Sequence, residues 1–388
     1  MIVTRMQRLG VGIIMSITMS SCSVANDTFM ETKLKNSSGI LEPTAKQLSI
    51  TKQVVHLDSE TYRCAWSPDG KYFAVNGFNH QIYIFDAVTN HKNNVLHLNE
   101  TTIQMGDVAY SPDGKYLAGG NSIISIWDAK SMKLLREINP GTDIYSLIFS
   151  PDSKIVATTG IVTANKIYAY NVETGALLYS IKLSPGLINS NIVFTPDGHY
   201  LVASRTKFLT EDRRRQTGES DKYFTYLDFY DAKNGQLVKS ITPVHVMSTT
   251  ALAVSPDSHL VATGTNTKRT EYNKNPKTGV WEVIDNQDPI RLWDIESSKL
   301  VKEFGPLESH VSSLAFSPDG KYLASCFKSD QPDIFWLWDV KSGRLLEKVS
   351  LPTKAFGTYY TFKCAFSPDS KHIAIPVVQD IYLISIGN

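Results

Sequence analysis

The sequence has little of what defines several common protein classes. It contains only four cysteines in 388 residues, which excludes a disulfide-dense mini-protein. Its 39 basic and 38 acidic residues nearly cancel, and a net charge of +1 gives no sign of a nucleic-acid binder. No apolar run reaches the roughly 20 residues that a transmembrane helix needs. Hydrophobic residues make up 42% of the chain, which is ordinary for a folded globular protein.

The sequence also lacks the familiar catalytic and metal-binding motifs. It has no Gly-x-Ser-x-Gly elbow, no His-Glu-x-x-His, no Cys-x-x-Cys pair and no glycine-rich phosphate loop. We therefore expect a non-enzymatic protein with no cofactor and no bound metal.

The start of the chain has the pattern of an export signal. Arg5 and Arg8 precede an uncharged and largely apolar stretch from Leu9 to Met19. That stretch is too short to span a bilayer, and it is typical of the core of a secretory signal peptide. We therefore expect an exported protein of the cell envelope.

Two cleavage sites fit this signal. Met19-Ser-Ser-Cys22 resembles a bacterial lipoprotein cleavage site. It predicts a signal peptide at 1–21, cleavage before Cys22 and a lipid on Cys22 that anchors the protein in the outer membrane or the cell membrane. The small residues before Asn26 offer ordinary cleavage instead, which would give a soluble periplasmic or secreted protein.

The next segment, residues 22–47, is interpreted as a flexible tether. It has few aromatic residues and no sustained hydrophobic period. A single folded domain is predicted at 48–388.

One tetrapeptide recurs seven times in that domain. It reads Ser or Thr, then Pro-Asp, then Gly or Ser, and it stands between two short apolar runs. Proline fixes φ early in a turn and glycine tolerates a positive φ later, so each copy predicts a tight turn between antiparallel strands. The three copies that end in Ser predict slight strain. The copies begin at Ser67, Ser111, Ser150, Thr195, Ser255, Ser317 and Ser367.

A third strand in most repeats ends in an aromatic residue followed by Asp, as in Trp127-Asp128 and Trp338-Asp339. A turn and a fourth apolar run follow. Four strands in about 45 residues, repeated, are typical of β-propeller blades. Residues 48–388 resemble a WD-repeat β-propeller. The resemblance, with seven turns, predicts an all-β, seven-bladed propeller of four-stranded antiparallel blades.

The ring is expected to close through the N-terminal strand. The seventh repeat has strands near 361–366, 371–377 and 380–386 but no fourth strand. Residues 49–57 form a β-rich run with no local partner. We expect 49–57 to pair with 380–386, because an unpaired edge would be exposed otherwise.

The family has a buried Asp–His–Ser/Thr–Trp hydrogen-bond network, and one repeat could approximate it. The Gly-His dipeptide that opens family repeats is largely absent from this sequence, although Val244-His245 stands where the family places it. The resemblance implies a network of Asp288, His245, Thr263 and Trp293 in the fifth repeat.

The resemblance implies a non-catalytic interaction scaffold or binding module. We expect a monomer displayed in the bacterial cell envelope, with protein partners, membrane contact only through the lipid anchor and no nucleic-acid partner. One alternative is an envelope hydrolase or lyase with a site at the channel mouth, near which Arg63 and Asp107 could lie. Another is a glycan or small-ligand receptor with exposed aromatic residues on its loops.

Two insertions indicate where a partner would bind. The spacing between turns rises to 60 and 62 residues after the fourth and fifth copies, against 39–50 elsewhere. Both excesses, at 205–222 and 266–288, fall between the second and third strands of neighbouring repeats. Connections at that position emerge on one face of a propeller, and binding residues concentrate on such loops.

The insertions contain residue types that are common at interfaces. The first includes Arg213, Arg214 and Arg215, and the second reads as a hairpin whose four-residue loop would bring Tyr272 opposite Trp281. Arg, Tyr and Trp are enriched in interface hot spots. These five side chains are therefore predicted to bind a partner surface that carries carboxylates or phosphates.

Overall fold

The computed structural model describes most of the predicted domain. The described residues are 49–99, 106–160, 166–183, 191–208, 223–245, 249–265, 268–274, 281–287, 289–305, 307, 310–327, 333–350 and 363–387. They form 28 β-strands. Nowhere in these ranges does a helix have the length and apolar character needed to cross a membrane.

The described chain is a six-bladed β-propeller with antiparallel blades. Six sheets have four strands or more, and a separate two-stranded sheet consists of β19 (Lys268–Lys274) and β20 (Trp281–Gln287). Repeats two to six, numbered by their Ser/Thr-Pro-Asp turns, each form one four-stranded sheet whose strands run in chain order from first to fourth.

The strands of these five sheets are as follows. Repeat two has β5 (Asp107–Tyr110), β6 (Tyr116–Gly120), β7 (Ile124–Asp128) and β8 (Leu134–Ile138). Repeat three has β9 (Ile144–Phe149), β10 (Ile155–Gly160), β11 (Lys166–Asn171) and β12 (Leu177–Lys182). Repeat four has β13 (Ile192–Phe194), β14 (Tyr200–Phe208), β15 (Tyr223–Asp231) and β16 (Leu237–His245). Repeat five has β17 (Thr249–Val254), β18 (Leu260–Thr265), β21 (Ile290–Asp294) and β22 (Leu300–Phe304). Repeat six has β23 (Val311–Phe316), β24 (Tyr322–Phe327), β25 (Asp333–Asp339) and β26 (Leu345–Ser350).

The remaining sheet, here called the seam sheet, joins repeats one and seven. Its strand order is β27-β28-β1-β2-β3-β4. The pairing of β1 with β28 runs from Ser49 opposite Gly387 to His56 opposite Asp380, so the partner predicted for 49–57 is the observed one. The bounds are β1 (Ser49–Trp66), β2 (Tyr72–Gly77), β3 (Gln81–Asp86), β4 (Lys92–His97), β27 (Ala365–Phe366) and β28 (His372–Gly387).

The seam sheet corrects the expected number of blades. Seven separate four-stranded blades were predicted, and the described residues form six sheets of four strands or more. The difference arises because β1 serves both repeats: its first half pairs with β28 and its second half, from Thr61 to Trp66, pairs with β2. One continuous strand therefore fuses the two repeats into one sheet.

The first strands of the repeats lie innermost. They contact one another in chain order, and the last of them contacts β1. The apolar core lies between neighbouring sheets. One cluster, for example, packs Val202 and Phe229 of repeat four against Val261 and Trp293 of repeat five.

One set of hydrogen bonds holds each Ser/Thr-Pro-Asp turn. In repeat one, Ser67 Oγ donates to Asp69 Oδ1 at 2.7 Å and accepts from the Tyr72 N–H at 2.9 Å. The Lys71 N–H also donates to Asp69 Oδ1, at 3.1 Å. These bonds, led by the one from Ser67, hold the pKa of Asp69 below its usual value. The motif therefore needs a hydroxyl at its first position and a carboxylate at its third.

The backbone strain predicted for the Ser-ended turns is present, and each of these turns also makes a hydrogen bond to the preceding repeat. Ser153, Ser258 and Ser370 have φ values of 62°, 63° and 62°, in the left-handed region. Each hydroxyl oxygen accepts the N–H of the turn aspartate in the preceding repeat. The pairs are Asp113 with Ser153 at 3.0 Å, Asp197 with Ser258 at 2.9 Å, and Asp319 with Ser370 at 3.0 Å.

A second contact links the outer parts of neighbouring repeats. The third residue of the fourth strand donates to a backbone carbonyl just after the third strand of the next repeat. The donor side chain passes close to the turn that follows this third strand, and some of these turns need glycine for that reason. A Cβ at Gly235, for example, would lie 2.5 Å from the Tyr179 ring. The donor and acceptor residues are Arg136 and Glu173, Tyr179 and Ala232 (2.7 Å), Lys239 and Ile295, and Lys302 and Val340 (3.0 Å).

Replacing Ser153 should separate backbone strain from the hydrogen bond between repeats. Ser153→Ala keeps the left-handed strain and loses the bond to Asp113, so we expect the free energy of unfolding to fall by about 1 kcal/mol. Ser153→Gly loses the same bond but relieves about 1 kcal/mol of left-handed strain, so its effect should be near zero. Urea unfolding of the two variants provides the measurement. If the glycine variant is the less stable one, the strain does not have this role.

Candidate functional site

The first insertion begins as an extension of the sheet in repeat four. Strands β14 and β15 pair over nine positions, from Tyr200 opposite Asp231 to Phe208 opposite Tyr223. The second strands of the other repeats have five or six residues, apart from the long β28. Repeat four therefore extends as a two-stranded ribbon beyond the length of the other blades, as the spacing predicts.

A buried ion pair supports the base of this ribbon. Arg205 Nε contacts Asp228 Oδ2, and Arg205 Nη2 donates to Asp228 Oδ1 at 3.1 Å. The same carboxylate accepts from Ser240 Oγ at 2.6 Å and from the Tyr230 hydroxyl at 3.2 Å. The Arg205 guanidinium also lies 4.6 Å from the ring centroid of Tyr226. These contacts fix the two strands where the ribbon leaves the blade.

The electrostatics of this base follow from burial and charge. Hydrogen bonding to Asp228 raises the pKa of Arg205. Burial, followed by the nearby Asp228 charge, raises the pKa of the Tyr230 hydroxyl. The arginine therefore stays charged and the tyrosine stays protonated at physiological pH, which makes this group a structural support.

The second insertion is a hairpin, with a register that corrects the predicted one. Tyr272 stands opposite Val283, and Trp281 stands opposite Lys274. Tyr272 and Trp281 are therefore not opposite each other. The pairing is shifted by two positions because six residues, rather than four, separate the end of β19 from the start of β20.

Several predicted site residues lie outside the described residues. Arg213, Arg214 and Arg215 fall in the range 209–222, and Cys22 and Asp288 are also outside. The structure thus describes the base of the repeat-four ribbon and both strands of the repeat-five hairpin.

Part of the implied family network is formed. Trp293 Nε1 donates to Thr263 Oγ1 at 3.2 Å within repeat five. His245 is the last residue of β16 and stands opposite Thr225. Sequence reasoning missed a second example, in which Trp338 Nε1 donates to Ser325 Oγ at 3.0 Å. The available signal was a Ser or Thr eight residues after the first residue of the turn, in a repeat that closes with Trp-Asp.

Asp107 lies on an innermost strand and is almost fully buried, with a side chain 1% exposed. Its Oδ1 accepts the Val108 N–H at 2.9 Å, and its Oδ2 accepts the Leu147 N–H at 3.0 Å. Lys363, which sequence reasoning missed, pairs with Oδ2 at 3.0 Å. Asp107 thus links repeats two, three and seven, and both of its oxygens are engaged.

Arg63 is also buried near the centre, with its guanidinium carbon 5.4 Å from the ring centroid of Tyr145. The channel-mouth alternative named Arg63 together with Asp107. The contacts of Asp107 and the burial of both side chains give these two residues structural roles at the centre of the propeller. Among the described residues, no three His, Cys, Asp or Glu side chains are grouped so that they could hold a metal ion.

Comparisons with known protein families agree with this architecture. The model of the WD domain, G-beta repeat, matches residues 298–331. The model of eukaryotic translation initiation factor eIF2A matches residues 43–185. Together with the repeated turns and Trp-Asp pairs, these matches support a WD-repeat protein.

Similar proteins include one that is named for its WD repeats. The WD repeat-containing protein 26 homolog of Drosophila melanogaster is 26% identical over 269 residues, covering 63% of this chain and 40% of the relative. Periodic tryptophan protein 2 of Arabidopsis thaliana is 24% identical over 245 residues, covering 57% of this chain and 25% of the relative. Target of rapamycin complex subunit wat1 of Schizosaccharomyces pombe is 21% identical over 159 residues, covering 40% of this chain and 50% of the relative.

The matched part of the chain covers half or less of the length of these three relatives. WD-repeat propellers are usually non-catalytic and generally bind protein partners. The similarity therefore suggests a protein-interaction scaffold.

Asp107→Asn should destabilise the centre of the propeller. One carboxylate oxygen becomes an amide N–H₂, which faces either the Val108 or the Leu147 N–H and cannot accept from it. We expect the free energy of unfolding to fall by about 1–3 kcal/mol, the cost of an unsatisfied buried donor. Urea unfolding would measure it. The control is Asp143→Asn, whose carboxylate makes no hydrogen bond with the described residues. Equal stabilities of the two variants would contradict the linking role of Asp107.

Proposed function

We propose that this protein is a non-catalytic protein-interaction scaffold whose partner binds the repeat-four ribbon and the repeat-five hairpin. The observation that carries the proposal is the extension of two neighbouring repeats between their second and third strands. Packing between the sheets of repeats four and five places the bases of both extensions on adjacent blades. A rigid scaffold with local extensions is a common arrangement for binding.

The residues of the extensions favour a partner surface with carboxylates or phosphates. Arg213, Arg214 and Arg215 supply guanidinium groups, which bind such groups with two parallel hydrogen bonds. Tyr272 and Trp281 supply aromatic side chains on the neighbouring hairpin. The Arg205–Asp228 pair holds the described base of the ribbon in place.

Replacing Arg213, Arg214 and Arg215 together with Ala should weaken partner binding and reduce its salt dependence, because fewer charges are screened. The fold should be retained, as checked by the melting temperature. In-cell cross-linking, followed by binding assays with the captured partner over a range of salt, measures both effects. The matched control replaces three exposed lysines of other turns, Lys133, Lys233 and Lys299, with Ala.

Two outcomes would reject this surface. One is unchanged partner capture after the arginine replacement. The other is unchanged capture after both extensions are shortened to tight turns.

The scaffold is further proposed to act in the bacterial cell envelope, attached through a lipid on Cys22. This placement rests on the charged and apolar pattern of residues 1–21 and on the small residues before Cys22. A multiply acylated cysteine would give stable attachment, at about 0.8 kcal/mol per buried CH₂. Residues 22–47 would then hold the propeller away from the membrane surface.

Cys22→Ser should abolish fatty-acid labelling and leave the signal peptide uncut by the lipoprotein peptidase. Radiolabelled palmitate and mass spectrometry of the N-terminus are the measurements. Cys64→Ser, which changes a buried cysteine of the propeller, is the control and should keep its label. A natural protein that starts at Asn26 and carries no fatty acid would show that the anchor does not exist.

The seam sheet is proposed to act as two repeat units that close a ring of seven. Support comes from the seven Ser/Thr-Pro-Asp turns, two of which, at Ser67 and Ser367, belong to this one sheet. The contact of β27 with β1 completes the series of innermost strands. In this arrangement, β1 supplies the fourth strand that the seventh repeat lacks.

A further inference from the structure

A polar cleft of about 370 Å³ lies on the seam sheet, and we call it the seam cleft. It lies between the middle of β1 and the outer strands β3 and β4. Its volume falls in the usual range of small-molecule sites, about 300–1,000 Å³. The side chains that line it are His56, Leu57, Asp58, Asn79, Gln81, Tyr83, Lys92, Val95 and His97.

The walls of the seam cleft are held in place by hydrogen bonds. His56 Nδ1 lies 2.8 Å from Asp380 Oδ1, and the two residues are also register partners of β1 and β28. On the opposite wall, Asn79 Nδ2 donates to the Tyr83 hydroxyl at 2.7 Å and to Gln81 Oε1 at 3.1 Å. Side chains fixed in this way lose little freedom when a ligand binds.

Two exposed charges of opposite sign remain available in the cleft. The carboxylate of Asp58 makes no hydrogen bond or ion pair with any described residue. Lys92 Nζ lies 5.7 Å from the ring centroid of Tyr83 and makes no ion pair with the described residues. Asp58 and Lys92 therefore do not form an ion pair with each other.

These charges restrict the class of ligand. A simple anion would be attracted by Lys92 but repelled by Asp58, and a simple cation would meet the reverse. A ligand that carries both charges can pair with both groups. Additional hydrogen-bonding capacity comes from the second ring nitrogen of His56 and from Nε2 of His97, whose Nδ1 lies 3.5 Å from Gln81 Nε2.

We propose that the seam cleft binds a small zwitterionic amino acid. Its carboxylate is directed to Lys92 and His97, and its ammonium group is directed to Asp58. This site is separate from the scaffold function proposed above, because its residues belong to repeats one and seven.

Binding at this position would also stabilise the seam. The ligand would contact the segment of β1 that pairs with β28 and, at the same time, strands β3 and β4 of repeat one. A ligand that binds only the folded state raises the melting temperature by mass action. The melting temperature of the full chain should therefore rise with ligand concentration.

The first experiment uses isothermal titration calorimetry and thermal unfolding of the full chain with each of the twenty common L-amino acids. We expect at least one to bind and to raise the melting temperature. Two analogues of that amino acid, one without its amino group and one without its carboxylate, should bind at least about tenfold more weakly, which corresponds to about 1.4 kcal/mol.

The second experiment locates the site. Asp58→Asn and Lys92→Met should each weaken binding at least about tenfold. Both side chains are exposed, so the melting temperature without ligand should stay unchanged. Glu137→Gln and Lys133→Met remove the same charges from exposed positions of repeat two and should leave affinity unchanged.

Three results would overturn the proposal. No amino acid binds the full chain, a singly charged analogue binds as tightly as the amino acid, or binding survives both seam-cleft substitutions. None of these results bears on the repeat-four and repeat-five extensions, so the scaffold proposal is tested independently.

Discussion

The pairing of β1 with β28 is the constraint on which the rest of the structure depends. It joins residues 49–56 to residues 380–387 and places repeats one and seven in one sheet. Each sheet buries apolar side chains against its neighbours, so a sheet without a partner would expose a core face to water. The seam supplies that partner for the two repeats at the limits of the described chain. Apolar residues of β1 and β28, including Leu57 and Ile381, pack together there.

The apolar core holds neighbouring sheets together, and repeated polar contacts between the sheets fix their relative positions. Hydrophobic burial is not directional, whereas hydrogen bonds fix distance and angle. The Ser-ended turns bind the preceding repeat near the inner strands. Donors on the fourth strands, such as Tyr179, bind the next repeat further out. At the centre, Asp107 and Lys363 link repeats that are not neighbours in sequence.

Because the core and the contacts between sheets maintain the fold, two other surfaces, the repeat-four ribbon and the seam cleft, can serve in binding. The ribbon of repeat four leaves a blade whose base is fixed by the Arg205–Asp228 pair, so its sequence can vary without disturbing the core. The seam cleft instead lies where the repeating geometry is interrupted by a strand shared between two repeats. Asp58 and Lys92 have no ion-pair partner among the described residues, and both can stay charged there because solvent still reaches them.

The sequence by itself determined the turns and the strand pattern, because Ser/Thr-Pro-Asp and aromatic-Asp act through contacts within a few residues. It also indicated the partner of 49–57, since only one incomplete repeat needed a strand. Tertiary structure decided the rest. Two repeats share one sheet because β1 is a continuous strand that pairs with both of them. The register of Trp281 depends on the length of the six-residue connection between β19 and β20. The Asp107–Lys363 pair joins positions 256 residues apart, a proximity that no local pattern encodes because it exists only when the inner strands meet.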